Sequence, residues 1–368
     1  MVQIDESMLK SEEQVIFKLR SLYRQHGFSC FKMSKFEEYD LYSQNKDFLV
    51  SDSVITFNDT NGKLMALKPD VTLSIVKSYT KPAGGVRRVY YNENVYRISE
   101  KTHCYKEIMQ TGLEVQGELT AYNLLETVEL AAASLAQIAP NSVLNISHLG
   151  ILSAALEPVT SEECKAELLA CIGEKNPHGV SELCRQYAVD KATEELLIFL
   201  TEGYGEPQAV IARCRALSAD PAILAALTEL AMVADQIGMV FGTQVRVDLS
   251  LVGDMQYYNG LIFRGFVEGV PGAVLRGGQY DKLMQKMGKA GGAVGFAVYL
   301  DLLERMKASS PYDVDVLLLY KPEDDIAAVH RQAAAIIQAG KSVSVQTAVP
   351  ENLVYRECIA VKGGNGHA

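Results

Sequence analysis

Along the segment YKEIMQTGLEVQG, residues 105–117, the sequence alternates as a strand does. Period two puts Met109, Thr111, Leu113 and Val115 on one face and Gln110, Gly112, Glu114 and Gln116 on the other. A glycine between Gln110 and Glu114 leaves open space over that second face, where an amide and a carboxylate can hold the ammonium or imidazole of a small ligand. The competing reading is a solvated sheet face carrying ordinary polar residues. Arg97 ends the preceding strand-like run, RRVYYNENVYRI, and can reach over the same face, where its fork suits a carboxylate or phosphate; lone strand arginines are usually surface residues. Asp70 and Thr72 follow a proline in LKPDVT that fixes the backbone, so both oxygens can point into one site, or Asp70 can cap the helix VTLSIVKSY. On a strand, the paired Tyr257 and Tyr258 of GDMQYYNG would face opposite ways, one into the core and one over the sheet.

Other reactive residue types are dispersed. His103 and Cys104 are adjacent, yet no second ligand or base stands at a recognisable spacing, and His26, His103, His148, His178, His330 and His367 form no triad. The seven cysteines, Cys30, Cys104, Cys164, Cys171, Cys184, Cys214 and Cys358, make neither an even set nor a C-x-x-C pair. They are expected to be reduced and mostly buried, with no structural zinc site. Gly277, Gly278, Gly288, Gly291, Gly292 and Gly295 match neither a P-loop nor a dinucleotide fingerprint and read as turns and close packing. No catalytic residue, metal or cofactor is expected.

These residues need a scaffold, and the pattern supplies one. A capping-box pattern at Ser11 and Gln14 opens a helix that Gly27 stops. Extended segments follow, the second broken by an Asn-Gly hairpin turn, and the two alternating strands flanking SEKTH should pair antiparallel. A helix is expected over about 121–138, then a strand at NSVLNISHLG. Residues of about 151–240, rich in Ala, Leu and Glu with Pro and Gly punctuation, read as a helical insertion. Strand and hairpin character resumes in VRVDLSLVGDMQYYNGLIFRGFVEG. The fold class is therefore α+β, with a core over 1–310 and a short α/β module over 311–368 in which VDVLLLY, HRQAAAIIQAG and KSVSVQ read as β-α-β.

At 368 residues and 48% hydrophobic, the chain can bury a large core. A net charge of −10 opposes the phosphate neutralisation that supplies most nucleic-acid affinity. No run approaches the roughly 18 apolar residues of a membrane span, and MVQIDESMLK lacks the regions of a signal peptide, so the cytoplasm is expected and a membrane is not.

Taken in order, these segments resemble the catalytic core of class II histidyl-tRNA synthetases over roughly residues 10–310. LKPDVT resembles the family's Arg-Pro-Glu-Gly-Thr segment; RRVYYNENVYR with MQTGLEVQG resembles motif 2; MQYYNGLIF resembles the histidine-specific tyrosine segment; GGQYDKL with AVGFAVYLDLL resembles the motif 3 region. The resemblance implies an antiparallel sheet flanked by helices, and histidine contacts from Asp70, Thr72, Arg97, Gln110, Glu114 and Tyr258, with Tyr257 adjacent. It also exposes departures. Where synthetases have Arg-Gly-Leu-Asp this chain has Gly253, Asp254, Met255 and Gln256; Leu302 and Gln279 stand where motif 3 has arginines, and Lys106 replaces a second motif 2 arginine. Losing one preorganised donor to a transition state costs roughly 10²- to 10³-fold, so two independent losses cost on the order of 10⁴- to 10⁶-fold.

That pattern is similar to the regulatory subunits of ATP phosphoribosyltransferase, through DMQYYNGLIFRGF, VLRGGQYDKL and the abbreviated C-terminal segment. The resemblance implies a non-catalytic chain that binds L-histidine, partners a short-form ATP phosphoribosyltransferase catalytic subunit, and forms a homodimer within a hetero-oligomer; tRNA is not expected as a partner. The alternatives are a histidine-tRNA ligase with an atypical active site, or a histidine-binding paralogue with another partner.

Overall fold

The structure is a computed structural model that describes residues 9, 11–48, 54–82, 84–98, 103–241, 244–253, 255, 257–303 and 312–361. The chain divides into two compact units, 1–304 and 305–368.

The first unit is organised by a nine-stranded sheet. Its strands run in the order Ser29–Cys30, Val86–Ile98, Tyr105–Gly117, Gly292–Tyr299, Leu275–Gln279, Leu261–Val267, Ser142–His148, Val245–Asp248, Tyr204–Gly205. The six strands from Val86–Ile98 to Ser142–His148 pair antiparallel; parallel joins occur at Ser29–Cys30 with Val86–Ile98 and at Ser142–His148 with Val245–Asp248. The expected pairing of the two long strands holds over thirteen residues each, from Val86 opposite Gly117 to Ile98 opposite Tyr105. A separate three-stranded sheet carries the Asn-Gly hairpin, with Gly62 at φ +80 in its turn, a conformation that favours glycine.

Helices cover one face of the large sheet. Helix Ala121–Ile138 matches its expected bounds and starts at a capping box between Thr120 and Asn123. Its buried Leu124, Val128, Leu130, Leu135 and their neighbours join the core that also holds Leu113 and Val115, the apolar face of strand Tyr105–Gly117. The first helix, Ser11–Gln25, includes Ser11 as a helical residue, one position before the expected start, and ends in a turn where Gly27 sits at φ +77.

The expected helical insertion is Leu149–Leu156, Glu162–Gly173, Pro177–Gln186, Lys191–Glu202, Pro207–Leu217 and Pro221–Phe241. Ser161, Asn176 and Asp190 cap three of these helices through side-chain oxygens, while Pro177 and Pro207 occupy first turns where a missing N–H costs nothing. The last helix corrects one expectation: Pro221–Gly238 is long and apolar enough to cross a membrane by length and composition. Leu227, Leu230 and Val233 on it are 0% exposed within the core, which is how a core helix passes the same test.

Two other expectations fail. Val245–Asp248 and Leu261–Val267 do not form a hairpin, because Ser142–His148 lies between them in the sheet and the described residues of the connection run as turns and irregular chain. The cysteines are not mostly buried: Cys164, Cys184 and Cys214 are, but Cys30, Cys104 and Cys358 are exposed. His367, Asp254 and Gln256 lie outside the described residues, as does most of the SEKTH loop.

The second unit holds Val314–Leu319, helix Ile326–Gln338 and Val343–Gln346 as a right-order β-α-β unit, with the two strands parallel. A third parallel strand, Tyr355–Ala360, pairs on the other side of Val314–Leu319 and was not legible in the pattern. Residues of that strand are exposed or half-buried along its length, so it carries no apolar run to betray it.

Candidate functional site

The site is built on the sheet face opposite the helical core. Residues paired directly across neighbouring strands project to the same side. One such row runs Glu114, Gly295, Gly278, Ile262; the next runs Tyr91, Gly112, Ala297, Arg276, Arg264; a third begins Gln110, Tyr299. The middle of this grid is glycine and alanine, and the corners carry polar or charged side chains. The result is a cavity of about 290 Å³ lined by Asp70, Thr72, Gln110, Glu114, Tyr257 and Tyr258 among others, a volume suited to one small molecule.

Gly295, which lines the cavity, and Gly278, its partner across the sheet, are sterically required. A Cβ at Gly295 would lie 1.7 Å from Glu114 Oε2, and one at Gly278 would lie 2.7 Å from Cδ1 of Tyr258. These positions sit in strands, so of the expected roles it is close packing that applies to them; Gly288 and Gly291, at φ +66 and +89, take the turns.

The wall opposite the floor comes from the LKPDVT segment. Buried Lys68 pairs with Glu93 on strand Val86–Ile98, and Tyr96 N donates to Lys68 O at 2.9 Å, which pins the segment to the sheet. Asp70 lines the cavity, and its Oδ1 accepts from Leu73 N at 3.0 Å at the start of helix Thr72–Lys77, although the N-cap position itself is Val71 and not Asp70. Thr72 Oγ1 donates to Glu114 Oε1 at 3.1 Å, and Tyr280 donates its hydroxyl to Glu114 Oε2 at 2.6 Å.

Glu114 is 2% exposed, and burial pushes its pKa up to about 8 against the opposing pull of the Tyr280 and Thr72 hydrogen bonds. Burial also raises Asp70, whose backbone hydrogen bond from Leu73 and proximity to Arg97 work the other way. Among the described residues neither carboxylate has an ion-pair partner within 4 Å. Gln110 is likewise 2% exposed, and its Nε2 has no hydrogen-bond partner among the described residues. An orphan donor and an acid without an ion-pair partner, both buried against one cavity, can each take the complementary polar group of a small molecule.

Six of the seven residues singled out from the sequence therefore converge: Asp70, Thr72, Gln110, Glu114, Tyr257 and Tyr258. Arg97 does not. Its Nε donates to Pro69 O at 2.9 Å, so the guanidinium braces the segment carrying Asp70 and is not a lining group of the cavity. The tyrosine pair is also corrected: because 257–258 lie in a loop and not on a strand, both rings line the cavity, 4.5 Å apart between centroids. Tyr91, Tyr280, Tyr299, Arg264 and Arg276 were missed as lining residues. Tyr280 lies in GGQYDKL, two residues after Gly278, in a segment singled out only for its resemblance to motif 3.

Gly253 lines the cavity. Gln279 Nε2 donates to Asp281 Oδ2 at 2.8 Å, Leu302 packs against the apolar core, and Lys106 is exposed, opposite Arg97 in register. None of these three lines the cavity.

The histidyl-tRNA synthetase family profile matches residues 2–303. An ATP phosphoribosyltransferase regulatory subunit from Cupriavidus taiwanensis is 31% identical over 352 residues, covering 92% of this chain and 89% of the relative. This chain belongs to the histidyl-tRNA synthetase-like family of ATP phosphoribosyltransferase regulatory subunits. It is a non-catalytic member, since its relatives are named as regulatory subunits and the synthetase arginines are replaced. The crystal structure of an ATP phosphoribosyltransferase regulatory subunit/histidyl-tRNA synthetase from Bacillus halodurans shares the fold, with TM-score 0.74, 24% identity, and 98% and 96% of the two chains covered. A chain of the HisG:HisZ ATP phosphoribosyl transferase complex from Thermotoga maritima aligns at TM-score 0.63 and 21% identity, over 78% of this chain and 97% of that one.

Proposed function

We propose that the cavity binds L-histidine and that the chain, as the regulatory subunit of ATP phosphoribosyltransferase, passes this occupancy to a short-form catalytic subunit, so that the end product restrains histidine biosynthesis. The observation that carries the reading is Glu114: a buried carboxylate held by two hydroxyl donors, with no cation of its own, at the edge of a glycine-floored cavity. An imidazole N–H or an ammonium supplies the missing partner, and Asp70, across the cavity, supplies a second acceptor for the other. The likeness to a chain of the Thermotoga maritima HisG:HisZ complex supports a partnership of this kind. The proposal includes a homodimer within a cytoplasmic hetero-oligomer, as the family resemblance implies.

The test is reconstitution with a short-form catalytic subunit and measurement of phosphoribosyl transfer against rising histidine. Inhibition that weakens at least tenfold with Glu114→Ala supports the reading. Unchanged histidine affinity and unchanged inhibition in that variant would remove the cavity from the account. Histidine-dependent exchange of pyrophosphate into ATP, at the rate of a synthetase control, would make the chain a ligase.

A further inference from the structure

We infer that Arg264 and Arg276 form the carboxylate-binding pole of this cavity, supplying from adjacent strands the guanidinium that synthetases carry at the position of Gly253. The inference rests on the histidine reading above and names residues that the family resemblance did not.

Register puts the two arginines side by side. Arg264 and Arg276 are directly paired across strands Leu261–Val267 and Leu275–Gln279, on the same face, and both line the cavity. Like charges in that relation repel. Burial, and then the charge of Arg276, lower the pKa of Arg264. Among the described residues neither guanidinium has a carboxylate within 4 Å; Arg276 lies over the Tyr299 ring at 5.7 Å and Arg264 Nη2 donates to Val252 O at 3.2 Å. Two unpaired cations on one wall of a cavity whose other wall is acidic call for an anion between them.

The Val252 contact gives the location. It places the Arg264 guanidinium against the backbone beside Gly253, the position where synthetases carry their arginine. A side chain at 253 has little room, because its Cβ would lie 2.3 Å from Ile262 Cδ1. The charge therefore enters from the neighbouring strand. Gln110 Nε2, the orphan donor among the described residues, sits in the row beside Tyr299, on the opposite side of the arginine row from Glu114, and adds a neutral donor to the cavity.

The separation also fits. Glu114 and Arg276 are two strands and one row apart, which at about 4.8 Å between strands and about 7 Å between same-face residues puts their Cα atoms roughly 12 Å apart. With both side chains reaching inward, the gap matches one amino acid held by its basic end at Glu114 and Asp70 and by its α-carboxylate at the arginines.

Calorimetric titration of the full chain with L-histidine and with histamine, which lacks the carboxylate, tests this. The unsubstituted chain should bind histidine roughly 10- to 100-fold more tightly than histamine, as expected for hydrogen bonds to a charged group. Arg264→Met with Arg276→Met should erase that preference by weakening histidine alone, and Arg264→Lys should restore part of it. Equal loss of both ligands, or no loss of histidine, would overturn the assignment while leaving the cavity reading intact. Pyrophosphate competing with histidine in the unsubstituted chain but not in the double variant would assign the arginines to phosphate instead, and also overturn it. If the unsubstituted chain bound neither histidine nor histamine, the histidine reading itself would fail.

Discussion

The two halves of the cavity are built differently. The acidic half is buried and pre-bonded: Glu114 is already gripped by Thr72 and Tyr280, and Asp70 is tied to the first turn of a helix. The basic half is looser, with Arg264 half-buried, Arg276 exposed, and neither engaged by a carboxylate among the described residues. Rigid donors and acceptors that need no rearrangement give selectivity, whereas long side chains near an opening close over a ligand at an entropic cost. The acidic half is thus suited to deciding what binds, and the basic half to holding it once it is in.

The largest effect should come from spoiling the rigid half. Gly295→Ala places a methyl group where Glu114 Oε2 now lies, so it should displace the carboxylate, abolish measurable histidine binding and destabilise the chain by about 1–3 kcal/mol. A titration together with a denaturant midpoint checks both. A matching alanine at Gly288 meets no atom within 4 Å and should leave binding unchanged, though its φ of +66 will cost some stability.

Proton linkage sharpens the comparison further. The pKa of Glu114 is raised from 4.5 to about 8, so between those values the folded chain holds a proton that the unfolded chain has released. Stability from this group is fully present below about pH 4.5 and is lost as pH rises towards about 8. Glu114→Gln should therefore raise the Tm of the empty chain at pH 8, by about 2 °C or more. A ligand cation or N–H donor pairs with the ionised carboxylate, so binding should release a proton. Histidine affinity should rise about fivefold from pH 7 to 8, a dependence that Glu114→Gln removes. Calorimetry in buffers of different ionisation enthalpy reads the proton directly, and absence of release would place the ligand's basic group elsewhere.

The smallest effect belongs to Arg97. Because it braces the Asp70 segment from outside, Arg97→Lys should weaken histidine only about two- to fivefold, by loosening Asp70 without removing a ligand contact. A loss as large as that from the Arg264 and Arg276 pair would show that Arg97 reaches the ligand after all.

The contrast between the halves also explains what could be read from the sequence. Glu114 and Gln110 were legible because strand alternation fixes a face without knowledge of partners, and Asp70 and Thr72 because a proline limits the chain before them. The tyrosine pair was placed on the right segment but given the wrong geometry: period-two reasoning holds only on a strand, and residues 257–258 sit in a loop. Arg264 and Arg276 could not be read, since each falls in an ordinary strand and only the register between Leu261–Val267 and Leu275–Gln279 brings them together. The pairing of the two long strands followed from local alternation, the helical insertion from composition and Pro and Gly punctuation, and the wider antiparallel sheet from the family resemblance. The parallel joins at the sheet's flanks depend on contacts between distant segments, which no local pattern encodes.

The central claim is that a histidine-sized ligand with a basic end is captured at Glu114. Its most direct test is calorimetric titration of the unsubstituted chain and of Glu114→Ala with L-histidine at pH 8, each checked for a folded thermal transition. Saturable binding at one site per chain, weakened at least about 30-fold by the substitution while the fold persists, is the predicted result. Binding of equal strength in both proteins, or none in the unsubstituted chain, would contradict the account.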